Sequence, residues 1–245
     1  KILRFIQEQR FGTILEVQAG FLHSSDLDPH KPINWKRRIV TNGEYGCMGD
    51  LGMHVLHIPL RMRWFPHNIR ALLSKVVTER PEHAGPGAAM VPCETWDNAT
   101  LACEVKNEEQ HFPMLLEIKR IAPGETNTWY IRVLGTRFSA EFSTKYPKTL
   151  RTMAYTPGDT QAWQSQDLGS ESAYPTITGN IFEFGFSDSI LQMWAAFCDE
   201  LAHPGSMRQP FYCVTPQETE QSHRILTAAL ASHSQTQVIQ LNSEG

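Results

Sequence analysis

Strand-length runs in which apolar residues recur at every second position dominate the middle of this sequence, and they constrain it more than any other feature. Leu15, Val17, Ala19 and Phe21 make the first run; Ile69, Ala71, Leu73, Lys75 and Val77 make the second. Leu101, Cys103 and Val105 continue the pattern, followed by Met114 to Ile121 and Trp129 to Leu134. Gly135-Thr136 then turns the chain into Phe138, Ala140 and Phe142, a hairpin signature. Thr149 to Tyr155 is a further candidate. Such alternation buries one face of a sheet and leaves the other polar, which favours antiparallel pairing.

Helical patterns flank these strands. Residues 1–9 read as the last turns of a helix that closes near Phe11-Gly12. Asp50 to about Trp64 carries Leu51, Val55, Ile58 and Met62 on one stripe, with Pro59 expected to kink or shorten the helix. Asp188 to Ala202 places Ile190, Leu191, Trp194, Phe197 and Leu201 at helical spacing, where Trp194 and Phe197 are expected in the core. Thr215-Pro216-Gln217-Glu218 is a capping box with proline at the first helical position. Its helix is expected to reach Ser232, with a last strand at Val238, Ile239 and Leu241. Residues 80–96 and 156–180 read as loops, and so does the stretch from His23 to Gly49. The fold class is therefore α+β: a large, mostly antiparallel, open-faced sheet with helices on one face.

Composition narrows the function classes. The 245 residues are 41% hydrophobic and 20% charged, ordinary for a globular domain. A net charge of -4 argues against nucleic acid, and no apolar stretch approaches the roughly 20 residues of a bilayer span. The five cysteines are odd in number and widely spaced, without a CxxC pair, which points to reduced thiols and a cytoplasmic setting. His54, His57 and His67 lack an accompanying acidic or cysteine cluster, so no metal site is expected.

The chemistry-bearing run is GDLGMH. Asp50 and His54 lie four apart, so on an α-helix both project from one face. A carboxylate beside an imidazole orients the ring and raises its pKa, the requirement for a tuned acid/base acting on a hydroxyl. By itself DxxxH reads more readily as a helix cap or first-turn charge beside a surface histidine. Gly43, Gly46, Gly49 and Gly52 allow close backbone approach. Trp35, Lys36 and Arg37 are candidates for substrate binding, by stacking and by hydrogen bonds to hydroxyls or phosphate, against a solvated basic loop. Tyr45, beside the glycine turn, is a further wall candidate, with a packing role the stronger reading.

The run NWKRRIVTNGEYGCMGDLGMHVLHIPLRMRW resembles the signature of the glucose–fructose oxidoreductase / inositol dehydrogenase (Gfo/Idh/MocA) family: a Trp-basic element, a Gly-rich turn, an Asp, and a His four residues later. KILRFIQEQRFGTILEVQAGF, WDNATLACEVKN and IRVLGTRFSAEF are similar to other segments of that family's second domain. The resemblance implies a single C-terminal substrate and oligomerisation domain over 1–245, with a dihydrodipicolinate-reductase-like sheet. It implies an N-terminal Rossmann domain, outside this sequence, that binds NAD or NADP. By that resemblance His54 would take the proton of a sugar, cyclitol or polyol hydroxyl, with Asp50 orienting it or binding a substrate hydroxyl. The fragment alone is then expected to be inactive, and a homo-oligomer through the open sheet face is expected. Two other readings stay open: a relative that cleaves glycosidic bonds through transient oxidation, and a non-catalytic ligand-binding homologue. The sequence departs from the family pattern at Cys47-Met48, where glycines are usual, and at His57, where an acid is often found.

Overall fold

The computed structural model describes residues 1–106, 110–168, 172–179, 181–206 and 213–241. Helix α1 (Ile2–Gln7) leads into strand β1 (Ile14–Leu22), a 3-10 turn (Trp35–Arg37), helix α2 (Ile39–Asn42), a π-turn (Met48–Gly52) and helix α3 (Met53–Arg61). Strands β2 (Pro66–Ser74), β3 (Glu79–Pro81), β4 (Met90–Pro92), β5 (Asn98–Lys106) and β6 (His111–Lys119) come next. They are followed by β7 (Thr128–Gly135), β8 (Phe138–Ser143), β9 (Thr149–Ala154) and β10 (Gln164–Asp167). Helices α4 (Phe186–Ala202) and α5 (Pro216–Gln235) and strand β11 (Ile239–Gln240) complete the described elements.

Nine strands form one sheet in the order β10-β9-β8-β7-β1-β6-β5-β2-β11, and β3 pairs with β4 separately. Every pairing in the large sheet is antiparallel except β1 with β6. The alternation sets the faces. Val17 and Ala19 of β1, Met114 and Leu116 of β6, and Ala71 of β2 are fully buried on one side. Against that side α5 packs on β2, and α3 packs on β1 and α5. The opposite face is polar in large part: Arg132 pairs with Glu141 at 2.9 Å across β7 and β8, and Tyr130 donates to Glu117 at 2.5 Å. The expected open-faced α+β fold is the observed one.

Several details differ from expectation. The 80–96 loop contains β3 and β4, and the 156–180 loop contains β10; parts of the latter, 169–171 and 180, lie outside the described residues. These strands have three or four residues and little apolar alternation to read; β10 is QSQD and exposed throughout. The helix expected to run to Trp64 ends at Arg61, two residues after Pro59. Trp194 and Phe197 are not core residues: they are 56% and 44% exposed. Helical spacing of apolar residues shows that α4 has a face to cover, but not that the sheet covers it.

Gly46 shows what the glycine-rich turn is for. Its φ is +57°, and a Cβ there would lie 2.6 Å from the backbone nitrogen of Trp96. The close approach is thus to the backbone just before strand β5, and Cys47 N donates to Trp96 O at 3.0 Å. Gly46→Ala is expected to cost more than about 1 kcal/mol of stability, read as a lower urea midpoint with an unchanged slope. An unshifted midpoint would show that the turn can relax.

Candidate active site

The α3 region is built from a π-turn that runs directly into an α-helix. Leu51, Val55, Leu56 and Leu60 bury one side in the core. Trp129 Nε1 donates to His54 O at 3.0 Å, tying the start of α3 to β7. His54 and His57 share the other side, three residues apart, and both line a cavity of about 1140 Å³. Met53 and Leu60 of α3, Trp194 and Phe197 of α4, and Glu218 of α5 also line it.

His54 is exposed, with its ring edge-on to Phe21 at 5.6 Å. Lost hydration lowers its pKa below the ordinary imidazole value of 6.5. This direction is opposite to the one expected from a neighbouring carboxylate. Asp50 sits in the π-turn, where hydrogen bonds run from i to i+5, so a residue four positions on does not stack above it as in an α-helix. Its carboxylate pairs with Arg120 and with Lys36, the latter at 3.3 Å. Asp50 therefore belongs to a charge cluster next to His54, and is not the group that tunes it.

That cluster is rooted in buried ion pairs. Arg37 is fully buried, pairs with Asp97, and meets Asp26 at 2.6 Å. Asp97 also accepts the backbone N–H groups of Val76 and Val77 at 2.6 and 3.0 Å. Arg120, 3% exposed, lies between Asp26 at 3.7 Å and Asp50. Burial opposes ionisation of Asp26, but Arg37 and Arg120 outweigh it and hold the pKa below the ordinary value. Burial lowers the pKa of Lys36, and the Arg120 charge adds to this.

The sequence candidates separate accordingly. Lys36 and Asp50 come together, and Trp35, 54% exposed, has the Lys36 ammonium over its ring at 5.4 Å. Arg37 is corrected: its guanidinium is consumed by two buried carboxylates and meets no substrate. Tyr45 takes the packing role: its hydroxyl bonds Thr227 at 2.7 Å and its ring tilts against His223, holding the turn onto α5. Arg120, Asp26 and the cavity face of α4 were not anticipated. Among the described residues no group of three His, Cys, Asp or Glu side chains could hold a metal ion, and all five cysteines are free. No described helix is long and apolar enough to cross a membrane.

This fold is the one found in Gfo/Idh/MocA-type oxidoreductases, as the sequence resemblance implied. Among particular structures, levoglucosan dehydrogenase in complex with NADH and L-sorbose superposes with a TM-score of 0.82 at 20% identity, covering 98% of this chain and 62% of that one. An oxidoreductase domain protein from Kribbella flavida gives 0.81 at 19% identity over 98% and 62% of the two chains. An inositol dehydrogenase homologue from Azotobacter vinelandii, complexed with NAD+, gives 0.73 at 18% identity over 97% and 60%. In sequence, the levoglucosan dehydrogenase of Pseudarthrobacter phenanthrenivorans is 28% identical over 87 residues, 36% of this chain and 22% of that protein. No family model matches the sequence. The chain spans about three fifths of the length of the solved chains it matches.

Proposed function

We propose that this chain is the substrate domain of an NAD(P)-dependent dehydrogenase of the Gfo/Idh/MocA family, acting on a hydroxyl of a sugar, cyclitol or related polyol. The observation that carries the reading is His54: an imidazole on the wall of a large cavity, neutral at pH 7 because lost hydration lowers its pKa, four residues along the chain from Asp50, which pairs with Lys36. A neutral imidazole accepts a hydroxyl proton, the step an alcohol oxidation requires as the carbinol carbon loses hydride. Lys36 and Asp50 offer a donor and an acceptor for neighbouring hydroxyls, and Trp35 a stacking face. The nicotinamide that accepts hydride belongs, in this reading, to a nucleotide-binding domain outside the sequence given. Solved proteins of the same fold hold NADH or NAD+, and one holds L-sorbose. The open sheet face, with its exposed Leu15 and Leu72, is proposed as the contact between copies.

The test is reduction of NAD or NADP by the full-length protein across a panel of sugars and polyols. Turnover with at least one of them is expected, and no reduction by residues 1–245 alone. Failure across the panel with both cofactors would overturn the reading.

A further inference from the structure

We propose that the cavity between α3, α4 and the start of α5 receives an apolar group carried by the substrate: an aryl or alkyl aglycone attached to the sugar whose hydroxyl meets His54. The proposal deepens the dehydrogenase reading and rests on it. At about 1140 Å³ the cavity is at the upper end of sites that hold whole drug-sized ligands, far more than one sugar ring needs.

The hydrogen-bond inventory of the walls decides what fits. A polyol needs a partner for each hydroxyl taken out of water, yet most of the side-chain donors here are already committed within the protein. Gln192 bonds both the N–H and the carbonyl of Tyr174 at 2.8 Å, and the Tyr174 hydroxyl donates to Asp199 at 2.9 Å. Glu218 is clamped by Arg61 and by the capping box of α5. The hydroxyls of Ser189, Thr219 and Ser222 donate to carbonyls one turn earlier on their own helices, and Ser172 donates to Tyr174 O. Among the described lining residues, the rings of His54 and His57 and the indole N–H of Trp194 are left without such a hydrogen bond. The remaining surface is apolar, led by Trp194 and Phe197, which stack edge to face at 5.9 Å. Hydroxyls pressed against it would lose water without replacement, whereas an aryl or alkyl group gains by the same transfer. The polar ring of such a glycoside belongs one turn back, at Trp35, Lys36 and Asp50, with His54 at the junction.

The experiment compares phenyl and methyl β-glycosides of glucose, galactose, mannose and xylose, by calorimetric binding and by NAD and NADP reduction, with the full-length protein. For at least one sugar the phenyl glycoside is expected to bind roughly tenfold or more tightly than its methyl partner. Trp194→Ala should remove that preference, and Trp194→Phe should retain most of it; the position is exposed enough for both variants to keep the fold, which near-ultraviolet dichroism checks. Equal binding of the members of every pair, or no binding by any of them, would overturn the proposal, as expected if another part of the protein fills the cavity. A phenyl preference without cofactor reduction would uphold the apolar site and refute the dehydrogenase reading. Reduction with equal use of both glycosides would do the reverse.

Discussion

Replacing His54 with alanine in the full-length protein is expected to lower kcat by about 10²–10⁴-fold, the usual contribution of a positioned general base. KM should change little, because the imidazole works on a proton that moves in the transition state, and the bound substrate gains little from it. The pH profile makes the assignment specific. Lost hydration lowers the His54 pKa, so the imidazole is neutral at pH 7 and stays so as the pH falls past its ordinary value of 6.5. Wild-type kcat/KM is therefore expected to hold through neutral pH and to fall on the acid side only below that value. In the alanine variant this acid limb should vanish along with the rate. An unchanged kcat would refute the proposed base. A lost rate with the acid limb intact would assign the limb to another group. A pKa above 6.5 would mean that Asp50 leaves its pairing with Lys36 and Arg120 and turns to the imidazole once substrate is bound.

The sheet was legible in the sequence because its alternation has a single cause: one face is buried under α3 and α5 and the other is not. The strands missed, β3, β4 and β10, are too short to display a period. Asp50, His54, Lys36 and Trp35 were identified from spacing and context, but their mutual geometry was not, because a π-turn replaces the helical register that spacing alone assumes. The buried charges left a signal that went unread. Ala99, Leu101, Cys103 and Val105 face the core from β5, and Asp97 continues their parity; Met114, Leu116 and Ile118 do so from β6, and Arg120 continues theirs. A charge at a core-parity position must find a partner, and these two lie side by side, with Arg120 N donating to Asp97 O at 3.0 Å. Arg37 could not be placed that way, since a loop has no period to violate. The role of α4 was illegible for a different reason: its apolar stripe faces a cavity, and sequence patterning does not distinguish a cavity from a core.

Removing the Asp97 carboxylate is expected to have the largest effect on stability. Asp97→Ala strands the guanidinium of Arg37, which is fully buried, and leaves the N–H groups of Val76 and Val77 without their acceptor. Breaking a buried pair from one side costs about 3–5 kcal/mol, a large share of the 5–15 kcal/mol that holds a typical domain together. The melting temperature should fall by roughly 10 °C. Asp97→Asn keeps an acceptor for the two amides and is expected to recover part of the loss. Asp26 then becomes the main counter-charge to Arg37 and Arg120. Its folded pKa lies below the unfolded value of about 3.9, so its contribution is complete above that value and is lost as the pH falls through the folded pKa. Both variants should therefore be most vulnerable below about pH 4, where Asp26 begins to take up its proton. Because Arg120 links Asp26 to Asp50, loosening the knot should also reach the site: the alanine variant, at temperatures where it is still folded, is expected to show a raised KM for the sugar. A melting temperature within a degree or two of wild type would mean that water replaces the carboxylate at Arg37, and that the pairs beneath Asp50 do not hold it in place.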